Sequence, residues 1–191
     1  MMEILGLSGT AITKLIKKGE LSAVDVMEQV LNQVATVQPL LNPFVTIAHD
    51  AALAQARLAD ELLGKTQPET LPAFFGVPFT VKDLLDTQGV QTTYGSRSLE
   101  HNIPNRDVVA VARMRAAGAI LLGKTTTPEF ASKVTTDSVL TGITRNPWAP
   151  SLSSGGSSGG DGVAIATGIV PFGVSTDGGG SSRIPASACG V

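Results

Sequence analysis

The chain has 191 residues, 42% of them hydrophobic, with a mean hydropathy of +0.21, which is ample for a buried core and argues against disorder. A formal net charge of −2, with 14 Lys plus Arg dispersed along the sequence, gives no electrostatic footprint for nucleic acid. A single cysteine, Cys189, excludes an internal disulfide and cannot build a zinc site alone; no apolar run approaches a membrane span and no basic-then-apolar leader stands at the start, so a cytoplasmic protein without a membrane partner is expected.

Residues 1–65 read as a helical segment. Ile12, Leu15 and Ile16 recur at helical spacing until Gly19. Ser22 then caps a second helix, Asp25 closes a capping box, and Val24, Met27, Val30, Leu31 and Val34 form one apolar stripe. Asn42-Pro43 breaks the chain before a short strand, Phe44 to Ile47, and a third helix over Ala51 to Leu63. These helices read as scaffold.

Residues 66–191 read as an α/β portion. Gly76 to Lys82 is an extended run whose proline points to an edge strand or the first residue of one. Asp107 to Ala117 reads as a capped helix with Val108, Val111, Ala112 and Met114 inward, ended by Gly118. Ala119 to Leu122 is an apolar strand, and Val163 to Thr167 followed by Ile169 to Val174 repeats the helix-to-strand order. The fold class expected is α/β, with a mixed, mostly parallel sheet flanked by helices. Gly118 to Thr125 satisfies the letter of G-x-x-x-x-G-K-[ST], but its four intervening residues are Ala-Ile-Leu-Leu, a strand where a phosphate loop should be. Gly123, Lys124 and Thr125 are read instead as the exit of that strand.

A serine nucleophile needs a base for its proton and donors for the oxyanion. His49, at a helix start, and His101, in a polar loop, lie in no glycine-rich or strand-terminal setting and read as surface residues. No G-x-S-x-G elbow occurs. Lysine can replace histidine when burial keeps it neutral, and Lys82 follows the apolar run Phe79-Thr80-Val81; on its own, a lysine there more often snorkels or pairs with an acid such as Asp83 or Asp86. Asp177-Gly178-Gly179-Gly180-Ser181 follows an apolar strand, and its bare glycines let successive N–H groups converge as in an oxyanion hole, with Ser181 at the end of the turn. A plain Gly/Ser loop has the same composition. Gly155 to Gly160, GGSSGG, reads equally as a flexible linker or an anion cradle.

Taken in order, these segments resemble the amidase signature family. The resemblance rests on Gly155 to Gly160, on Asp177-Gly178-Gly179-Gly180-Ser181-Ser182-Arg183-Ile184-Pro185-Ala186, and on Gly76-Val77-Pro78, Val81-Lys82-Asp83, Gly123-Lys124-Thr125, Pro128-Glu129-Phe130 and Arg145-Asn146-Pro147-Trp148 upstream. It covers nearly the whole chain. It implies an amidohydrolase acting on a small-molecule amide without metal or organic cofactor: Lys82 as catalytic lysine, Ser157, after a cis peptide bond, as bridging serine, and Ser181 as the nucleophile that forms an acyl-enzyme. The N–H groups of Gly178, Gly179, Gly180 and Ser181 would receive the oxyanion, and Ser158, Thr176, Asp177 and Arg183 would support the site.

Ser182 stands where the family usually has an aliphatic residue, and Ser153-Ser154 replaces its threonine-proline. Members of the family are longer, so the chain is expected to be an N-terminal portion of one, with exposed apolar sheet edges through which it could self-associate. Two further readings stay open: an inactive, truncated amidase-like protein or interaction subunit, and one component of an amidotransferase for charged tRNA.

Overall fold

A computed structural model describes residues 4–191. Helix α1, Gly9–Lys17, starts where Ser8 Oγ accepts the Ala11 N–H at 3.2 Å and buries Ile12 and Ile16. Helix α2, Ala23–Leu41, is capped by Ser22, whose Oγ accepts the Asp25 N–H at 2.9 Å. The expected capping box is not completed from Asp25. Its place is taken by Asp60, whose carboxylate accepts the N–H groups of Ala23 at 2.7 Å and Val24 at 3.1 Å, an anion at a helix N-terminus. Met27, Val30, Leu31 and Val34 are buried and Val24 half-buried. Asn42, at φ 55°, ends the helix in the left-handed conformation.

Strand β1, Phe44–Ile47, precedes helix α3, His49–Leu63. Asp60 belongs to α3, so the caps of α2 depend on α3 docking against it. Strand β2, Pro78–Lys82, begins at its proline, as expected, but it is an interior strand and every residue in it is buried. Helix α4, Val109–Ala116, buries Val111 and half-buries Val108 and Met114, whereas Ala112 is exposed. Asp107 does not cap α4. Its Oδ1 accepts the Gln88 N–H at 2.7 Å and its Oδ2 lies 3.3 Å from Arg115 Nε, which leaves Val108 at the cap.

Strand β3, Ile120–Thr125, continues through Gly123 and Lys124 rather than ending at Leu122. Gly123 permits this: a Cβ there would lie 2.3 Å from Thr46 O on the adjoining strand. Strands β4, Asp137–Ser138, and β5, Gly142–Ile143, form a separate small hairpin. Helix α5, Gly159–Ala166, is followed by strand β6, Gly173–Val174, and helix α6, Arg183–Cys189. The six-residue strand expected over Ile169 to Val174 is cut to two residues. The N–H groups of Ile169 and Val170 turn back to Ala164 O at 3.0 and 3.4 Å, and Pro171 has no N–H to give a ladder.

The main sheet runs β1-β3-β2-β6. β3 and β6 pair parallel to β2, and β1 pairs antiparallel to β3, giving the mixed, mostly parallel α/β class. One face packs Val77, Ile120 and Leu122 against α2 and α5, and the other packs Phe79, Val81 and Leu121 with Val111 of α4. Because β1 lies within residues 1–65, the N-terminal helices and the α/β portion share one sheet. The large exposed apolar side chains lie mainly off its edges, at Val134, Val139, Ile143, Trp148 and Leu152.

Candidate active site

The register Lys82↔Thr125 and Val81↔Lys124 puts Lys82 and Lys124 on opposite faces of the sheet, because in-register neighbours point the same way and successive residues alternate. Both lysines are fully buried. On the α5 face, Lys82 Nζ lies 2.7 Å from Ser157 Oγ and 3.0 Å from Thr176 Oγ1. Neither hydroxyl has another hydrogen-bond acceptor among the described residues, so each proton is free to point at the nitrogen. A neutral amine fits these partners, donating to one oxygen and accepting from the other. Burial lowers the Lys82 pKa to about 8, against the opposing pull of Asp161 and then Asp177.

Lys124 is arranged differently. Its Nζ donates to Leu85 O, to Thr87 Oγ1 at 2.8 Å and to Thr92 Oγ1 at 3.2 Å. The two threonine hydroxyls direct their own protons to Leu85 O and Val90 O, so all three partners must accept. Three acceptors require three N–H groups, those of an ammonium. Burial pushes this lysine down to about 8 as well, opposed first by Asp83. Asp83 is itself buried, and accepts from the Thr93 N–H and hydroxyl.

Ser157 is fixed by the loop that enters α5. The Gly156–Ser157 peptide is cis, as the resemblance implied. A Cβ on Gly156 would come within 2.7 Å of the Thr135 backbone, so only glycine fits there. Thr136 Oγ1 donates to Gly155 O at 2.9 Å and accepts the Gly159 N–H at 3.0 Å, tying the two ends of the loop together. The Ser158 N–H donates to Ser181 O at 3.0 Å, which brings the second Gly/Ser segment against the first. Ser158 Oγ approaches Thr176 O at 3.5 Å.

The turn after β6 is organised by Asp177. Its Oδ1 accepts the Gly180 N–H at 2.7 Å and Arg183 Nη2 at 2.9 Å; its Oδ2 accepts the N–H groups of Ser182 and Arg183, each at 3.2 Å, and Arg183 Nε at 2.9 Å. Arg183 first, then these backbone donors, hold the Asp177 carboxyl far below the usual range. Gly180 therefore departs from its expected role, because its N–H is committed to Asp177. Among the described residues the N–H groups of Gly178, Gly179 and Ser181 remain without acceptors, and Gly178 and Gly179 have open space beside them. Among the described residues Ser181 Oγ makes no hydrogen bond, so the two Gly/Ser segments are joined by backbone, Ser158 N–H to Ser181 O, rather than by the Ser157 and Ser181 hydroxyls.

The fold also sets Thr80, Thr125 and Asp161 beside Lys82; Thr125 belongs to a segment the sequence singles out, but none of the three is given a role there. Asp161, in the first turn of α5, is 4% exposed, and its Oδ1 accepts from Thr80 Oγ1 at 2.8 Å. Its Oδ2 and Thr125 Oγ1 are buried without well-formed hydrogen bonds. Burial raises Asp161 to about 6, against the pull of the Thr80 and Thr125 hydroxyls. The available signal was a lone acid within a Gly-Gly-Asp-Gly run that leads into an apolar helix. His49 and His101 lie at the surface beside Asp50 and Glu100. Cys189 is buried, with Sγ 3.5 Å from Ser154 O, and burial raises its thiol to about 11. Among the described residues no cluster of three His, Cys, Asp or Glu side chains could hold a metal ion, and no helix is long and apolar enough to cross a membrane.

Comparison with known proteins places the chain in a family. A family model described as Amidase matches residues 25–191. A glutamyl-tRNA(Gln) amidotransferase subunit from Roseiflexus sp. (strain RS-1) is 42% identical over 178 residues, 92% of this chain and 36% of the relative. Among solved structures, a protein from a vestigial complex bearing on the origins of an s-triazine catabolic enzyme superposes with a TM-score of 0.92 at 40% identity, over 97% of this chain and 40% of its own. A fatty acid amide hydrolase superposes with a TM-score of 0.91 at 32% identity, over 96% of this chain and 32% of its own. The chain thus spans between about a third and two fifths of the length of these proteins.

Proposed function

The chain belongs to the amidase signature family, and on that premise we propose that it carries the catalytic centre of an amide hydrolase in which Lys82, Ser157 and Ser181 act in series. The observation that carries this reading is the pair of hydroxyls at Lys82 Nζ, Ser157 and Thr176, neither of which has another acceptor. An amine so placed can take a proton from Ser157, whereas the three obligate acceptors around Lys124 bar it from the same role.

Ser181 Oγ attacks the amide carbon while its proton passes to Ser157 Oγ and the Ser157 proton passes to Lys82 Nζ. The negative charge that develops on the carbonyl oxygen is met by the free N–H groups of the 178–181 turn. Collapse breaks the C–N bond, and the proton returns through Ser157 to the departing amine. Water then attacks the acyl-Ser181 ester, giving its proton to the same relay, and the carboxylic acid product leaves as Ser181 is regenerated. Neither half of the cycle calls on a metal or an organic cofactor. Asp177, bonded to Gly180, Ser182 and Arg183, holds the nucleophile turn in place.

A fluorophosphonate probe tests the reading, because it phosphonylates an activated serine without needing a substrate fit. Mass spectrometry of tryptic peptides should find the adduct on Ser181 in the parent protein and none in Ser181→Ala. An adduct absent from the parent would favour the inactive or interaction-subunit reading. A second catalytic reading, the amidotransferase component, is favoured by the Roseiflexus relative, whose name specifies glutamyl-tRNA(Gln) amidotransfer. It uses the same amide-cleaving steps, so glutamine hydrolysis that depends on a partner protein, against partner-independent hydrolysis of simple amides, separates the two. On this reading the substrate is a small-molecule amide and the setting the cytoplasm.

A further inference from the structure

We propose that Asp161 is the counter-charge of Lys82, a positioning residue that sets the fraction of Lys82 carrying a proton, an inference that rests on the role given to Lys82 above. Asp161 projects from the first turn of α5 onto β2 and β3. Thr80, which bonds its Oδ1, stands two residues before Lys82 on the same strand and hence on the same face. Thr125, whose hydroxyl is buried without a well-formed hydrogen bond, is the in-register neighbour of Lys82. The carboxylate therefore sits against the patch of sheet from which Lys82 rises, and the two form no direct ion pair. Close packing holds it there: a Cβ on Gly173 would lie 2.5 Å from Thr80 Oγ1 and 2.6 Å from Asp161 Oδ1.

Allocation of the other charges leaves Lys82 with Asp161. Asp83, next along β2, lies within the field of Lys124 and is bonded to Thr93. Asp86 and Asp107 act on Lys124 rather than on Lys82. Asp177, from the turn after β6, acts on Lys82 less than Asp161 does and is paired with exposed Arg183. Lys124, from β3, is held as an ammonium on the other face. On the Lys82 face, Asp161 is thus the buried carboxylate that no cation contacts directly among the described residues; Lys124, across the sheet, acts on it less than Lys82 does, and its Oδ2 has no well-aligned donor to screen it. In a buried setting such a charge acts over several ångströms. The opposing influence of Asp161 on Lys82 has the sign this arrangement requires, since a nearby anion favours the ammonium.

The test is titration of Lys82 by NMR of protein labelled with ε-13C lysine, with the resonance assigned by its loss in Lys82→Met. This reads the protonation directly and does not need the protein to hydrolyse anything, so failure of the catalytic reading leaves the measurement intact. Asp161→Asn removes the charge while its amide oxygen can still accept from Thr80. The expected result is a fall in the Lys82 pKa of about one unit, with the acid limb of the hydrolysis profile moving by the same amount to lower pH. A substitution that only loosened packing would lower activity without moving that limb. Should Asp161→Asn not fold, Thr80→Val serves, because a carboxylate robbed of its donor protonates more readily and Lys82 should shift in the same direction. An unchanged Lys82 titration in a folded variant overturns the proposal.

Discussion

Lys82 and Lys124 stand on adjacent parallel strands, both wholly buried, and face opposite sides of the sheet with opposite proton inventories. Around Lys82 the partners are hydroxyls with protons to give. Around Lys124 they are a carbonyl and two hydroxyls whose protons are already directed to carbonyls. Burial lowers both pKa values to about 8, against different opposing carboxylates. Hydrogen-bond chemistry separates them: one can work as a base and the other is a fixed cation.

The rate should follow the neutral fraction of Lys82. Burial lowers its pKa from 10.5 to about 8, so the base form grows as pH rises through that value. Hydrolysis of a small aryl amide should show kcat/KM climbing from about pH 6 to about pH 8 and levelling above about 9. Lys82→Ala should lose about 10²- to 10⁴-fold at neutral pH, the usual worth of a general base. Turnover unaffected by that substitution would remove Lys82 from the mechanism.

Lys124→Met should be costly to the fold. It removes the cation that faces buried Asp83 and deprives Leu85 O, Thr87 and Thr92 of a donor. Breaking a buried charge arrangement from one side costs about 3–5 kcal/mol, measurable by urea unfolding. Lys82→Met should lose less, because the Ser157 and Thr176 hydroxyls it leaves behind carry no charge and Asp161, which makes no direct ion pair with Lys82, keeps its bond from Thr80. Equal losses would contradict the assignment of Lys124 as the ammonium of the pair.

Asp177→Asn should leave the fold standing and loosen the nucleophile turn. The carboxylate gathers two groups of Arg183 together with the N–H groups of Gly180, Ser182 and Arg183; an amide keeps one acceptor oxygen and no charge. A displacement of about 1 Å at a reacting group can cost about 100-fold. Steady-state kinetics should therefore show a large fall in kcat with Tm nearly unchanged, and fluorophosphonate labelling should slow in parallel.

Two glycines of the site separate space from flexibility. A Cβ on Gly160 would lie 2.5 Å from both Pro43 O and Thr126 N, so Gly160→Ala must push α5 away from the end of β3. Overpacking of this kind costs about 1–3 kcal/mol. Gly178 has nothing within 4 Å of its would-be Cβ, and Gly178→Ala should change stability by less than about 0.5 kcal/mol. Denaturant midpoints of the two variants should diverge accordingly.

Much of this arrangement is legible in the sequence, and what is not has physical causes. Lys82 stands out because it ends an apolar extended run, and the Gly/Ser segments because backbone must approach backbone there. Lys124 gives the same signal at the end of β3, yet its purpose depends on Thr87 and Thr92, which only the fold brings to it. Asp161 is silent because its partner Thr80 lies 81 residues away, beyond the reach of any periodicity. Composition makes Gly180 a free donor and cannot tell that Asp177 claims its N–H. Ile169 and Val170 look like strand residues, but the chain turns them back onto the end of α5 before Pro171.

The order in which the strands meet has a consequence during synthesis. β2 is joined to β3, about forty residues later, and then to β6, where Thr80 is partnered by Gly173. A ribosome that has released only the first 150 residues can present Lys82 beside Lys124, but has not yet made the serines, the α5 carboxylate or the sixth strand. During that interval one flank of β2 is unpaired hydrogen-bonding edge, open to mispairing with another nascent chain. Chemistry and protection of that edge therefore arrive together, within the last few seconds of translating this segment at about 5–20 residues per second.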